Sequence, residues 1–298
     1  VGKTRFLTEE LPAGFEVVAV DSIQVYRGLD IGSAKPDAAE RARVPHHLID
    51  IRNPDQSFDV GDFVTEARRA SESISARGLV PLLSGGTAFY FQNYLLGLPS
   101  TPASQPWSRD QAAQKWLAEG EGEFRRSLAA VDPVSEARIQ PHDSYRLQRA
   151  WEVWLLSSKP LSSFGRTAPV AGSVFLAGLD RPREDLYARI EARVDTLLKA
   201  GLEDEVRGLV ASGWGAETPA LKGIGYAEWF PWVVTGEGSR SAVRDAIVLN
   251  SRRYAKRQLT FFRSLPGVRW YDPDQPETLK ADLREWSLTN APAWWYSR

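Results

Sequence analysis

Two short apolar runs constrain this chain most: FEVVAV at 15–20 and LVPLLS at 79–84. Each has the length of a strand, and between them DVGDFVTEARRASESISARG (59–78) carries helical periodicity with Gly78 as its stop. Strands without polar alternation, separated by helical segments, are the pattern of a parallel sheet covered on both faces. GKTRFLTEEL (2–11) reads as a helix start, and TAFYFQNYLLG (87–97) as a further helix.

The character changes at PSTPASQPWSRDQ (99–111), where Pro, Ser and Gln mark a linker. SRDQAAQKWLAEGEGEFRRSLAAVD (108–132) is polar, helical and free of strand patterns. The division expected is a core of 1–104 and 142–298, with a small all-α insertion at 105–141. HDSYRLQRAWEVWLLSSK (142–159) is a helix assigned to the core. GSVFLAGLD (172–180) reads as a strand, and REDLYARIEARVDTLLKAG (183–201) as a helix closed by Gly201. GVRWYDPD (267–274) reads as a short closing strand.

The 298 residues suffice for one large domain with an appendage, and a net charge of −1 excludes a globally basic nucleic-acid binder. With no cysteine, disulfides, thiolate zinc sites and cysteine nucleophiles are ruled out. No apolar run reaches membrane-spanning length and no secretory signal pattern occurs, so a cytoplasmic address is expected. Methionine is missing throughout. The expectation is that residues precede Val1 and that methionines are missing between some apparent neighbours; intact mass tests both.

Five stretches carry chemistry. Gly2-Lys3-Thr4 matches the end of a phosphate-binding loop, in which the Lys places a charge on a phosphate and the Thr hydroxyl serves Mg²⁺; it is also an ordinary helix start. Asp21 follows FEVVAV, where open α/β sheets place their ligands, although it equally suits a turn cap. Gln24 has an amide suited to a base edge. Ser84-Gly85-Gly86-Thr87 ends the second strand, and paired glycines allow close approach to backbone. An Asp for Mg²⁺ is missing at that strand end, which weighs against an ATP-dependent kinase.

Arg189 and Arg193 share a helix face and suit either a diphosphate clamp or a solvated flank paired to Glu191 or Asp195. In LNSRRYAKRQLTFFR (249–263), Arg252, Arg253, Lys256, Arg257 and Arg263 form a cationic arc opposite Tyr254, Phe261 and Phe262. An arc without acids points to a polyanion. Arg146 and Arg149 add cations on another helix. Adjacent His46 and His47 would face opposite sides of a strand, so no histidine metal site is expected.

Taken together, GKT, VDSIQVYRGLDIGSAKP, VPHHLIDI, PLLSGGTAFYFQNYLLGLP, VDPVSEARIQPHDSYRLQRAWEV, KGIGYAEW and RRYAKRQLTFFR resemble the tRNA dimethylallyltransferases, in family order over nearly the whole chain. The resemblance implies a P-loop NTPase-like α/β core, bacterial type. It implies transfer of a dimethylallyl group from dimethylallyl diphosphate to N6 of adenosine 37 beside the tRNA anticodon. Gly2, Lys3 and Thr4 would hold the diphosphate, with Thr4 on Mg²⁺, and Asp21, Thr87 and Arg193 would be catalytic. Asp21, Ser22, Ile23, Gln24 and Thr87 would line the acceptor pocket. Further tRNA contacts carry over to Arg109, to Tyr145, Arg146, Leu147, Gln148 and Arg149, and to Lys222, Gly223, Gly225 and Tyr226. Lys256, Arg257, Gln258 and Arg263 complete them. A monomer is expected, with the anticodon stem-loop as partner.

His142 stands where the family usually has Asn, and Ala227 where a basic residue is common. Three rivals are an adenylate isopentenyltransferase acting on free AMP or ATP, a small-molecule P-loop kinase and a silent RNA-binding module. The cationic arc and the helical insertion favour tRNA over AMP, and Asp21 beside the phosphate loop disfavours a silent module.

Overall fold

The computed structural model describes residues 2–169 and 172–290. It divides the chain into two compact units, one ending at Tyr94 and resuming after Val170, the other beginning at Leu95. In the first unit, α1 (Lys3–Arg5) runs into a wider helical turn at Phe6–Glu10, followed by strand β1 (Phe15–Val20). Next come α2 (Ala38–Arg43), β2 (His46–His47), α3 (Val60–Ala76), β3 (Val80–Gly85) and α4 (Ala88–Leu96). The three strands form a parallel sheet in the order β2-β1-β3.

β1 lies in the centre with all six residues buried, as its unbroken apolar pattern requires. Its one charge, Glu16, is paired with Arg77, and His47 Nε2 stands 2.6 Å from the same carboxylate. His46 meets the Val44 carbonyl instead. Neither histidine joins a metal-ligating cluster among the described residues. Asp59 caps α3 by accepting from the N–H groups of Gly61 and Asp62, and Gly78 beyond its far end takes φ +77°.

The second unit contains α5 (Pro106–Val131), α6 (Pro133–Arg138) and α7 (Ser144–Ser157). Gly120 breaks α5 with φ 68° and ψ 173°, a conformation open to glycine. Phe124, Leu128, Leu147 and Ala150 form its core. The 142–159 helix, expected on the main core, belongs to this second unit. The structure packs α7 on α5, because Leu147, Ala150 and Trp151 form the stripe that buries Phe124 and Leu128.

Back in the first unit, β4 (Ala177–Leu179) precedes α8 (Arg183–Lys199), α9 (Leu202–Ala211), α10 (Phe230–Thr235) and α11 (Arg240–Ser264). β5 (Arg269–Tyr271) pairs parallel with β4, and α12 (Pro276–Asn290) follows. Among the described residues no helix is long and apolar enough to cross a membrane.

Candidate functional site

Val20 and Gly85 are register partners at the carboxyl ends of β1 and β3, so the segments after both strands leave the sheet side by side. The N–H groups of Gly86 and Thr87 both donate to the Val20 carbonyl, at 3.2 Å each. A Cβ at Gly85 would stand 2.0 Å from that oxygen, so only glycine lets the strand ends close to this distance. Asp21 is the next residue along β1. Its Oδ1 accepts from the N–H of Ile23 at 2.8 Å and of Gln24 at 3.2 Å. The turn-capping alternative therefore uses one oxygen, while Oδ2 has no hydrogen-bond partner among the described residues.

Lys3 and Arg193 act electrostatically on each other and on Asp21. Burial is the main cause that lowers the pKa of the Lys3 ammonium; Arg193 adds repulsion and Asp21 opposes it. Part of Arg193 stays open to solvent, yet protein crowding its guanidinium pulls its pKa down too, against the attraction of Asp21. Neither cation has a hydrogen-bond or ion-pair partner among the described residues. Arg189, by contrast, is engaged by Asp185 at 3.0 Å. Of the two arginines on that helix face, Arg193 is the one left available.

The loop after Asp21 is held by residues far away in sequence. Glu205 of α9 accepts three backbone N–H groups, from Asp30 at 2.9 Å, Ile31 at 2.7 Å and Gly32 at 3.0 Å, and the Tyr226 hydroxyl at 2.7 Å. Lys35 ties the same loop to Asp50 at 2.7 Å and to the Tyr26 carbonyl at 2.9 Å. Gln24 donates its amide to the carbonyls of Ser33 and Ala34, at 3.2 Å each. Its nitrogen is thus spent on the loop rather than free for a base edge. No local motif marks Glu205, whose three backbone partners lie more than 170 residues earlier.

The tRNA residues implied by resemblance separate into several kinds. Tyr226 is fully buried over Gly32, and its ring would lie 2.5 Å from a Cβ there, so it packs the loop rather than meeting a ligand. Leu147 is likewise fully buried, inside the second unit. Gly223 packs against Ile23, and Gly225 turns the chain at φ +97°. In the second unit Arg109 is exposed and Tyr145 is 78% exposed, while Gln148 is half-buried. Arg146 pairs with Asp143, and Arg149 with Glu152 at 2.7 Å and the Pro102 carbonyl at 2.7 Å. Lys222 meets Glu217 at 3.3 Å.

The cationic arc is smaller than its sequence suggests. Arg252 pairs with Glu191 and Arg263 with Asp180. Arg253, Lys256 and Arg257 have no ion-pair partner among the described residues. Gln258 reaches the site itself, donating to the Gly86 carbonyl at 2.5 Å. Tyr254, which the sequence places on the apolar arc, donates to the same carbonyl at 3.3 Å.

The model for IPP transferase matches residues 24–265. The chain belongs to the IPP transferase family. A tRNA dimethylallyltransferase of Stenotrophomonas maltophilia is 42% identical over 87% of this chain and 84% of its own length. One from Syntrophobacter fumaroxidans is 42% identical over 95% of this chain and 84% of its own. The solved tRNA isopentenylpyrophosphate transferase of Staphylococcus epidermidis superposes with a TM-score of 0.68 at 32% identity, covering 97% of this chain and 96% of that one. In this IPP transferase His142 adopts φ +66°, a left-handed conformation that Asn and His both accept more readily than most residues. Its ring meets Glu121 at 3.1 Å.

Proposed function

We propose that this enzyme transfers the dimethylallyl group of dimethylallyl diphosphate to N6 of adenosine 37 in a tRNA anticodon loop. The observation that carries the reading is the pair of partnerless cations, Lys3 and Arg193, grouped with a carboxylate that has one free oxygen. Two unpaired cations suit a multiply charged diphosphate leaving group, and the free oxygen suits a proton acceptor. In the reaction the allylic C–O bond breaks and diphosphate leaves with the electron pair. The N6 lone pair forms the new C–N bond, and the N6 proton passes to Asp21 Oδ2. Asp21 Oδ1, fixed by two backbone N–H groups, keeps the carboxylate aimed. A poor amine nucleophile is compensated by an allylic carbon that tolerates positive charge, so stabilising the leaving anion is the larger task.

Mg²⁺ fits this site through the exposed Thr4 hydroxyl and the diphosphate's own oxygens, the sparse protein ligation usual for this ion. It would supply further charge neutralisation on the leaving group. Arg253, Lys256 and Arg257 supply a cationic strip for phosphates, and the target base must be extruded from its stack to reach Asp21. This reading places the enzyme in the cytoplasm and makes it a monomer.

The test offers radiolabelled dimethylallyl diphosphate and Mg²⁺ with an unmodified anticodon stem-loop, and in parallel with AMP. Label in the stem-loop, lost when adenosine 37 becomes guanosine, supports the reading. Label in AMP alone would replace it with the free-nucleotide reaction.

A further inference from the structure

The carboxylate of Glu205 on α9 is an internal ligand of the loop that follows Asp21. Its Oε2 accepts the N–H groups of Asp30 and Ile31, and its Oε1 accepts the Gly32 N–H and the Tyr226 hydroxyl. Three successive N–H groups on one carboxylate fix three peptide planes together, through hydrogen bonds strengthened by its charge. The phenol that donates to Glu205 also accepts from the Ser33 N–H at 3.2 Å, and the Ser33 carbonyl accepts from the Gln24 amide at 3.2 Å. Ser33 is thus held at both of its backbone polar groups. Gln24 in turn donates its own N–H to Asp21 Oδ1. A continuous series of hydrogen bonds runs from α9 through the loop to the carboxylate that takes the proton. Ile23, the other donor to Oδ1, is seated against Gly223, where a Cβ would lie 2.6 Å from the Ile23 Cδ1. None of these residues belongs to the diphosphate side, which is made by Lys3, Thr4 and Arg193.

We propose that Glu205 and Tyr226 are positioning residues that hold the 22–34 loop and, through Gln24, keep Asp21 Oδ2 aimed at the acceptor amine while leaving diphosphate binding untouched. This rests on the acceptor reading above, in which Asp21 takes the N6 proton. A proton acceptor works only within hydrogen-bond reach of its donor, and a misplacement of about 1 Å costs on the order of 10² in rate. A loop cannot supply that precision from its own short-range contacts. Here the rigid support is α9, and Tyr226, buried over Gly32, carries it on to Ser33.

The experiment uses the full chain, the adenosine-37 stem-loop and saturating radiolabelled dimethylallyl diphosphate with Mg²⁺. Glu205→Gln keeps the side chain's size but turns an acceptor oxygen into an NH₂ group facing donors. The single-turnover rate should fall about 10- to 100-fold. Amide exchange over 22–34 should rise while β1 stays protected, and the Kd for inorganic diphosphate should be unchanged. Tyr226→Phe keeps the buried ring and removes one hydroxyl, so the rate should fall about 3- to 10-fold; this variant carries the test if Glu205→Gln does not fold. Because both residues act through Asp21, neither change should lower the residual rate of Asp21→Asn further. Glu203→Gln breaks ion pairs from the same turn of α9, to Arg207 and Arg240, and should leave the rate as it was. A wild-type rate in either folded variant, the same loss repeated in the Asp21→Asn background, an equal loss in Glu203→Gln, or diphosphate binding weakened in step with the rate would overturn the proposal. A wild-type protein that labels no stem-loop would instead overturn the acceptor reading itself.

Discussion

Replacing Arg193 by Gln removes one unpaired cation while keeping much of the side chain's reach. In the ligand-free protein this guanidinium has no anionic partner in contact, loses solvent, and pushes down the pKa of Lys3. Its removal therefore relieves repulsion, tempered by the lost attraction to Asp21. Ligand-free stability should change by about 0.5 kcal/mol or less, toward stabilisation. With diphosphate bound, the same group becomes a charge-assisted donor worth about 1.5–3 kcal/mol. The Kd for inorganic diphosphate should thus rise about 10- to 150-fold. Calorimetric titration with diphosphate reads the affinity. Thermal unfolding with and without saturating diphosphate reads both stabilities, and the ligand-induced rise in Tm should shrink in the variant. A ligand-free loss above about 1 kcal/mol would show that Arg193 is a structural partner. An unchanged Kd would remove it from the diphosphate site.

Lys3 gives a pH dependence. Its folded-state pKa lies below the ordinary 10.5, chiefly through burial, so between the two values the unfolded chain binds more protons and ligand-free stability rises with pH. Diphosphate affinity should run the opposite way, falling as Lys3 loses its proton, and Arg193→Gln should move that fall to higher pH; titrations across the alkaline range check both. Asp21→Asn keeps an oxygen for the Ile23 and Gln24 N–H groups and should lower kcat about 10²- to 10⁴-fold with stem-loop affinity retained, measured by single-turnover labelling. Gly85→Ala drives a Cβ into the Val20 carbonyl and should unfold or misassemble the strand ends, whereas Gly86→Ala meets only the tip of Gln258 and should cost far less in a urea titration. Lys256→Gln should reduce the salt dependence of stem-loop binding by about one counterion, while Arg252→Gln, already paired to Glu191, should change it little.

Much of the fold is legible in local pattern. FEVVAV and LVPLLS announce buried strands because a parallel strand covered on both faces has no polar side to show. Asp59 and Gly78 bracket α3 through cap chemistry that acts within a few residues. Gly2-Lys3-Thr4 is singled out by residue type at a helix start, and Asp21 and Ser84-Gly85-Gly86-Thr87 by residue type at strand ends. The partner of α7 was not legible, since an apolar stripe states that a helix is covered but not by what.

Pairing was decided by the tertiary structure. Helical spacing left Arg189 and Arg193 equivalent and only the family resemblance singled out Arg193; the position of Asp185 made Arg189 a bound ion pair and left Arg193 a free cation. The same geometry removed Arg252 and Arg263 from the cationic arc, buried Tyr226 and turned Gln24 inward. It also joined Glu205 to a loop of three N–H groups and Tyr254 to the Gly86 carbonyl. Residue type and spacing determine which groups a chain can offer. Long-range contacts decide which of them are already satisfied, and a site is made of those that are not.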